Sequence, residues 1–319
     1  MLETSIPLTT KIAGFLDVNI MKTAKIFISP VNEIISDALI EVKRKGVECG
    51  VILSKRQHNN QFGYVPRQVI KQIKKSGLLL ERDHFCFESG KFNLEEIVYD
   101  SNFFDIVHID PWFYGDFNMD DFIKMHESFS VLNPSLKYEI GTEEYIKKID
   151  TKDLRLLLNS IDTSNVTYLI CQGGSEVFDL QNISKIDEFK TKEFVDLAKQ
   201  FGVKSKRHNC DFHSLDELNK LSKLGVDAFN FAPEFSTIFN EVVYQSLNKK
   251  QIDSLKNVLI NSTPWNRWIK SAENTKKLFA SCLHYIQDEL VLEKANFFKK
   301  EITEKIIDKI VSINGAIND

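Results

Sequence analysis

Side chains that can bind a metal ion or move a proton follow several short apolar runs of this sequence. The histidines and carboxylates among them are Asp83, His84, His108, Asp110, Glu139, Glu143, Glu144, His208 and Asp211. Two imidazoles and one carboxylate are a sufficient set of ligands for a divalent ion such as zinc. These residue types therefore predict metal-assisted chemistry, provided that the fold brings them to one place.

Eight apolar runs rich in β-branched residues indicate strands. They begin at Ala24, Cys49, Leu78, Asp105, Leu136, Val166, Val203 and Val226. The segments between them carry apolar residues at helical spacing, and Pro66, Asn93 and Ser214 are helix start signals. Eight strand-then-helix units from Ala24 to Leu247 fill the roughly 250 residues typical of a (β/α)8 TIM barrel.

A closed barrel would place these side chains together. An open, doubly wound sheet is the alternative arrangement of such units, but eight regular units favour closure. We predict only parallel strand pairs between Ala24 and Leu247, with the strands in sequential order. The carboxyl ends of barrel strands meet at one mouth, so the metal-capable side chains should converge there.

The pattern becomes entirely helical after Leu247. We predict a barrel over residues 1–250 and a C-terminal helical extension over residues 251–319. The extension should pack on the barrel or form an oligomer interface. Trp265, Trp268 and Phe279 supply large apolar side chains for either contact.

Charge and hydropathy argue against two classes of partner. The 41 basic and 45 acidic residues are spread along the chain, with no basic block to neutralise a run of phosphates. No apolar run approaches the roughly 18 residues of a membrane span, and the N-terminal segment lacks a signal-peptide pattern. The five cysteines form no CxxC pair, which argues against a disulfide framework and a cysteine-only zinc site. We expect a cytoplasmic protein that binds neither nucleic acid nor membrane.

Two features of the sequence, His108 and the segment from Gln172 to Ser175, also have an ordinary structural explanation. His108 lies two residues before Asp110 and fits the packed interior of a barrel as well as its mouth. The segment from Gln172 to Ser175 supplies a flexible backbone that either wraps a phosphate or makes a tight turn. The sequence leaves both alternatives open.

Six short motifs occur in an order that is known from one protein family. They are Asn60-Gln61-Phe62-Gly63-Tyr64, Asp83-His84, His108-Ile109-Asp110, Ile140-Gly141-Thr142-Glu143, Gln172-Gly173 and His208-Asn209-Cys210-Asp211-Phe212. In them the chain resembles the tagatose-bisphosphate aldolase non-catalytic-subunit family, a relative of the class II, metal-dependent fructose- and tagatose-bisphosphate aldolases. Ala232-Pro233 and the segment 235–239 extend the resemblance, which runs from about Ile26 to Leu247.

The resemblance implies a (β/α)8 barrel and a set of site residues. His84 and His208 match metal-binding positions of the class II aldolases, and Asp83 matches their proton-transfer aspartate. Glu143 is the predicted third ligand of a divalent ion, which we expect to be zinc, and Asp110 is a second candidate for proton transfer. The predicted substrate-binding residues are Gln61, Gln172, Gly173, Asp211 and Ser236.

The chain departs from the family pattern in a shorter loop after Glu143, in a shorter length than typical members, and in its residues at two places. Gln172 stands where the true aldolases carry another metal-binding histidine, and the accessory subunits also have glutamine there. Glu81 and Arg82 replace glycines before Asp83. These changes are compatible with metal binding and alter the surroundings of the substrate.

Three functions are compatible with this sequence. The first is a metal-dependent aldolase-like or epimerase-like enzyme that acts on a sugar phosphate or related carbohydrate, by Lewis-acid polarisation and carboxylate proton transfer. The second is a non-catalytic accessory subunit that stabilises a partner class II tagatose-bisphosphate aldolase. The third is a barrel that binds a sugar phosphate without chemistry. A homo-oligomer is compatible with each of them.

Overall fold

The eight apolar runs form the parallel strands of one closed barrel. The computed structural model describes residues 23–58, 67–85, 93–112, 118–142, 150–171, 173 and 176–319. The barrel strands are β1 (Ile26–Ile28), β2 (Cys49–Ser54), β3 (Leu79–Phe85), β4 (Ile106–Ile109), β5 (Lys137–Ile140), β6 (Val166–Ile170), β9 (Lys204–Arg207) and β10 (Ala228–Phe231), while β7 (Val177–Phe178) and β8 (Gln181–Asn182) form a separate hairpin. Each barrel strand pairs with its sequential neighbours, and β10 closes on β1. The predicted (β/α)8 TIM barrel is confirmed.

Amphipathic helices connect the strands and continue after the barrel. They are α1 (Glu33–Arg44), α2 (Lys55–His58), α3 (Arg67–Lys75), α4 (Leu94–Phe103), α5 (Met119–Leu132), α6 (Thr151–Asn159), α7 (Glu188–Gln200), α8 (Leu215–Leu224), α9 (Pro233–Gln245), α10 (Lys249–Ser262), α11 (Thr275–Cys282), α12 (Glu289–Phe297) and α13 (Lys299–Asn318). Two predicted caps are present, because the Asn93 side chain accepts from the Glu96 backbone N–H and Ser214 forms a capping box with Glu217. Pro66 lies outside the described residues.

The prediction of purely parallel pairing is wrong at one place outside the barrel. The β7–β8 hairpin is antiparallel and follows β6. Its turn residues Asp179 and Leu180 both have positive φ, which a two-residue hairpin of the primed type requires. Neither is the glycine that usually marks such a turn, so the sequence carried no hairpin signal. The Asp179 N–H donates to the Trp268 carbonyl, which ties the hairpin to the C-terminal helices.

Inward-facing side chains fill the barrel in layers. An apolar layer consists of Ala24, Phe27, Ile52, Ile106, Tyr168 and Ala228. Closer to the carboxyl ends, the inward positions are charged and fully buried, namely Glu81, Glu139 and Lys206. Four polar side chains follow at the mouth by the alternation of a β-strand. Asp83 and His208 lie two residues after Glu81 and Lys206, and His108 and Asn230 lie two residues after Ile106 and Ala228 of the apolar layer.

Helices of the C-terminal extension pack against the outer helices of the barrel. Helix α13 contacts α1, α8 and α9, and α11 contacts α9. Phe279 is fully buried, and Trp265 and Trp268 are partly buried against the same apolar core, so none of the three is fully exposed. The division of the chain at residue 250 stays a prediction. None of the described helices is long and apolar enough to cross a bilayer.

We expect Gly50→Ala to destabilise the barrel, because this glycine of β2 leaves space for a core ring. An added Cβ would lie 2.7 Å from the Phe27 ring, which has no exposed surface. Overpacking of a filled core costs about 1–3 kcal/mol of the free energy of unfolding. Urea unfolding measures the change. Gly315→Ala on the exposed side of α13, where nothing lies within 4 Å of the added Cβ, is the control and should be neutral or stabilising. An equal effect of the two substitutions would contradict the expectation.

Candidate functional site

Three histidines converge at the barrel mouth. His84 and His108 lie on β3 and β4, and His208 directly follows β9. The ring centroids of His84 and His108 are 4.9 Å apart, those of His108 and His208 are 5.2 Å apart, and those of His84 and His208 are 6.3 Å apart. His108 and His208 are buried, and His84 is partly exposed. The ends of β3, β4 and β9 thus bring three imidazoles close together.

The orientation of His84 is set by Asp110. The Asp110 Oδ2 atom lies 3.0 Å from His84 Nδ1 and accepts a hydrogen bond from the Thr142 hydroxyl, also at 3.0 Å. Its Oδ1 atom accepts from the Trp112 backbone N–H. Asp110 has no exposed surface. Because both of its oxygens contact other groups, these contacts favour a positioning role for Asp110, and its part in proton transfer stays a prediction.

The other two rings are oriented in the same way. His108 Nε2 lies 3.0 Å from the Gly141 carbonyl oxygen, which can only accept, so Nε2 carries the proton. His208 Nε2 donates to Glu139 Oε1. Burial opposes ionisation of Glu139, but Lys206 and His208 hold the pKa of this carboxyl well below its usual range. With one nitrogen of each ring donating to an oxygen, the lone pairs lie on His84 Nε2, His108 Nδ1 and His208 Nδ1.

This pattern is the usual one for histidines that bind metal ions. A ligating histidine almost always donates its other N–H to a carboxylate or a backbone carbonyl, which fixes the ring and its tautomer. Asp110, Gly141 and Glu139 are such acceptors for the three rings. The donor set and its supports therefore fit a divalent cation.

Asp83 adds a carboxylate to the same place. Its Oδ1 atom is 3.2 Å from His108 Nδ1 and 3.5 Å from His84 Nε2, and its side chain is partly exposed. The backbone N–H of His84 also approaches His108 Nδ1, at 3.3 Å, in agreement with a lone pair on that nitrogen. A carboxylate oxygen and an imidazole lone pair repel each other unless a proton or a cation lies between them. The contact is thus a second feature that fits a bound cation.

Among the residues that the structure describes, two overlapping groups of side chains could hold a metal ion. One consists of Asp83, His84 and His108, and the other of His108, Glu139 and His208, with the ligand atoms of each group within 4.8 Å of one another. The predicted ligands His84 and His208 fall into different groups, and His108 belongs to both. His108 is therefore a residue of the site and of the barrel interior at once. Three further predicted site residues, Gln61, Glu143 and Gln172, lie outside the described residues.

An irregular strand end brings both Asp83 and His84 to the mouth. Neighbouring side chains of a regular strand point to opposite faces. The β3–β4 register shifts between Arg82 and Phe85, and His84 has a φ of 48°, in the left-handed region. Both side chains contact His108 as a result. Backbone strain of this kind persists only where the surrounding structure enforces it, and it is common at functional sites.

Asn230 on β10 is a site residue that the sequence analysis missed. Its amide Nδ2 lies 3.3 Å from both ring nitrogens of His208. Its Oδ1 atom is buried and has no hydrogen-bond partner among the described residues. Side chains two residues apart on a strand face the same side, so the inward-facing Ala228 could have indicated that Asn230 faces the barrel interior too.

Asp211 caps the helix that follows β10. Its carboxylate accepts from the backbone N–H groups of Ala232 and Glu234, each at 2.9 Å. The amino end of a helix after the last barrel strands is a frequent phosphate position in this fold, and here a carboxylate fills it. Asp211 thus caps α9, and its role in substrate binding stays a prediction.

Two more predicted substrate-binding residues make contacts within the fold. The Ser236 hydroxyl donates to the Pro233 carbonyl inside α9. The Gly173 carbonyl accepts from Arg207, and a Cβ on Gly173 would overlap the buried guanidinium at 1.9 Å. Gly173 thus leaves space for the buried Arg207 guanidinium, and its role in substrate binding stays a prediction.

We expect Asp211 to make stability depend on pH. Burial, and then the neighbouring Glu234 carboxylate, raises the pKa of Asp211 to about 7. The folded chain therefore holds this proton more tightly than the unfolded chain, whose aspartates titrate near pH 4. Its contribution to the free energy of unfolding is complete below about pH 4 and is lost as the pH rises through 7.

The difference between wild type and Asp211→Asn isolates this contribution. Urea unfolding at about pH 5 and about pH 8 measures it. The advantage of wild type over the variant should be smaller at the higher pH. A difference that stays constant or grows with pH would contradict the assignment.

Comparisons with known proteins agree with the barrel. No family model matches the chain, and no curated protein matches it. Among solved structures, it is similar to a probable tagatose 6-phosphate kinase from Sinorhizobium meliloti, with 13% identity, a TM-score of 0.63, and coverage of 91% of this chain and 87% of that one. It is also similar to a fructuronate-tagaturonate epimerase from Cohnella laeviribosi, with 11% identity, a TM-score of 0.65, and coverage of 93% and 81%.

A third structure extends this set. A putative fructose-1,6-bisphosphate aldolase from Coccidioides immitis has 14% identity and a TM-score of 0.55, with coverage of 92% of this chain and 93% of that one. At these identities the likeness shows the fold alone. The chain thus shares its barrel with structures described as aldolase, epimerase and kinase, and membership of the accessory-subunit family stays a prediction.

Proposed function

We propose that this chain is a metal-dependent aldolase-like or epimerase-like enzyme that acts on a sugar phosphate or related carbohydrate. One observation carries the proposal. Each of the three histidines at the barrel mouth donates one ring N–H to a fixed oxygen and so keeps its lone pair on the other nitrogen.

His84, His108 and His208 would hold the ion. Imidazole is a good ligand for zinc, and three histidines leave a fourth position of a tetrahedral zinc site for water or substrate. When bound, such an ion polarises a carbonyl or hydroxyl oxygen and stabilises negative charge that develops on it. In this proposal His108 takes the place of Glu143 as third ligand.

Asp83 is the proposed proton carrier. It is the partly exposed carboxylate of the group, and it lies beside two of the proposed ligands. A carboxylate there can take a proton from a substrate hydroxyl, as aldol cleavage requires, or from a carbon next to a carbonyl, as epimerisation requires. The Oδ1 atom of Asn230 can accept a hydrogen bond from a substrate hydroxyl. The same residues therefore serve both reactions.

The named neighbours support a carbohydrate as substrate. Their descriptions name tagatose 6-phosphate, fructose 1,6-bisphosphate, fructuronate and tagaturonate. A phosphate of the substrate would bind away from the amino end of α9, because Asp211 already occupies the N–H groups there.

Metal content and turnover test the proposal together. Purified protein should contain close to one equivalent of a transition metal per chain by mass spectrometry. Removal of the metal and return of zinc should lower and then restore the melting temperature. The matching assays are cleavage of tagatose and fructose bisphosphates and interconversion of tagaturonate and fructuronate. A protein that neither binds zinc nor turns over any of them would contradict the proposal.

A non-catalytic accessory subunit is the second candidate. The glutamine at position 172, which the resembling accessory subunits share, favours it. This function predicts a stable complex with a class II tagatose-bisphosphate aldolase on size-exclusion chromatography, and a higher melting temperature of that aldolase in the complex. A metal-free chain that forms such a complex would favour the subunit over the enzyme.

A further inference from the structure

A lysine lies fully buried inside the barrel, beneath the histidines. Lys206 Nζ is 2.8 and 2.7 Å from the two carboxylate oxygens of Glu81 and 2.6 Å from Glu139 Oε2. It also lies 3.8 Å from the centroid of the Phe27 ring. Lys206, Glu81 and Glu139 have no exposed surface. Burying three ionisable groups costs free energy, so a functional role would explain why all three lie together inside the barrel.

Glu139 links this lysine to the proposed metal site. Its Oε2 atom accepts from Lys206, and its Oε1 atom accepts from His208 Nε2. A buried carboxylate with a cation on one oxygen is held in a single orientation, because any rotation would leave the two charges unpaired. The orientation of the Oε1 atom, and thereby of the His208 ring, depends on Lys206.

The lysine is unsuited to covalent chemistry. Three carboxylate oxygens lie within hydrogen-bond distance of its Nζ atom, and the side chain has no exposed surface from which to reach a substrate. The ammonium form has no lone pair with which to attack a carbonyl carbon. A positioning role is the remaining function for a charge at this place.

We propose that Lys206 is a positioning residue for His208. Its ammonium group fixes Glu139, so that Glu139 accepts a hydrogen bond from the N–H group at His208 Nε2. The lone pair of His208 therefore stays on Nδ1. The inference rests on the proposed function in one respect, namely the role of His208 as a metal ligand. The tautomer of His208 is a property of the metal-free chain and is tested without that assumption.

The test compares two variants with wild type. Lys206→Met combined with Glu81→Gln removes the buried cation together with one buried carboxyl group. Lys204→Met is the matched control, since Lys204 lies two residues earlier on the same strand, is exposed and contacts Thr23. Long-range proton–nitrogen NMR of ¹⁵N-histidine-labelled, metal-free protein reports the tautomer, and His208→Gln identifies the His208 signals. Titration with Co²⁺ measures affinity.

Wild type and the Lys204→Met control should show His208 protonated at Nε2. The double variant should show a mixture of tautomers, and its Co²⁺ affinity should fall about 10- to 100-fold, the loss typical of removing a supporting group around a metal ligand. A folded double variant with the wild-type tautomer and affinity would overturn the proposal. Protonation of His208 at Nδ1 in wild type would also overturn it, even if the double variant does not fold.

These readouts separate the two proposals. If wild type binds no Co²⁺ but the His208 tautomer changes in the double variant, the positioning role stands and the metal-dependent function fails. If wild type binds Co²⁺ and the double variant behaves identically in both measurements, the function stands and the positioning role fails.

Discussion

His208→Ala is expected to abolish both metal binding and turnover. His208 is one of the three proposed ligands, and its removal also leaves Glu139 Oε1 without the hydrogen bond that it accepts from the ring. Loss of a group that only supports a ligand costs about 10- to 100-fold in metal affinity or activity, so loss of a ligand should exceed that range. Zinc titration and the carbohydrate assays measure the two effects.

His126→Gln is the control for removing a buried histidine. His126 lies on α5, where its ring contacts Tyr138, and it belongs to neither of the two metal-capable groups. It should change the melting temperature without changing zinc content. If His208→Ala keeps full metal content and activity, the proposed site is wrong and the accessory-subunit function becomes the better one.

Asp83→Asn is expected to keep the metal and lose turnover. The amide retains the shape of the side chain but cannot take a proton at neutral pH. General acid–base catalysis contributes about 10²- to 10⁴-fold, and kcat should fall by that amount. Metal content by mass spectrometry should remain at the wild-type value.

Asp110→Asn supplies the contrast. Because Asp110 holds His84 Nδ1, its substitution should lower metal affinity about 10- to 100-fold, and turnover at saturating zinc should be less affected. Asp83→Asn should thus lower kcat at unchanged metal content, whereas Asp110→Asn should mainly lower metal affinity. Equal effects of both substitutions on both quantities would contradict the assignment of one carboxylate to proton transfer and the other to positioning.

The barrel was predictable because its signals are local. Most strands lie in short apolar or β-branched runs, the helices have an apolar face, and caps such as Asn93 and Ser214 depend on residues three positions apart. The convergence of the strand ends followed from the barrel alone, since parallel strands present their carboxyl ends at one mouth.

The side chains that orient the site histidines were not predictable, because their roles depend on contacts between strands that are distant in the sequence. Glu139 accepts from His208 over 69 positions, and Lys206 reaches Glu81 over 125 positions. No local pattern encodes such pairs. The sequence also gave no sign of the left-handed backbone at His84, which a non-glycine residue rarely adopts.

The roles of polar residues near strand ends were also not predictable, because each role depends on which donor the residue contacts in the folded chain. Asp110 and Asp211 are carboxylates at the predicted positions, yet one orients His84 and the other caps α9. A carboxylate accepts from a ring nitrogen, a hydroxyl or a backbone N–H equally well, so its type alone does not reveal which donor it meets. Distances in the folded chain make that distinction.

Anomalous diffraction from crystals soaked with cobalt tests the central claim most directly. We predict one strong peak at the barrel mouth, bonded to His84 Nε2, His108 Nδ1 and His208 Nδ1 at about 2.0–2.1 Å, as for imidazole ligands of zinc. A peak bonded to other residues, or a barrel mouth without a peak in crystals that bind cobalt elsewhere, would contradict a three-histidine metal centre.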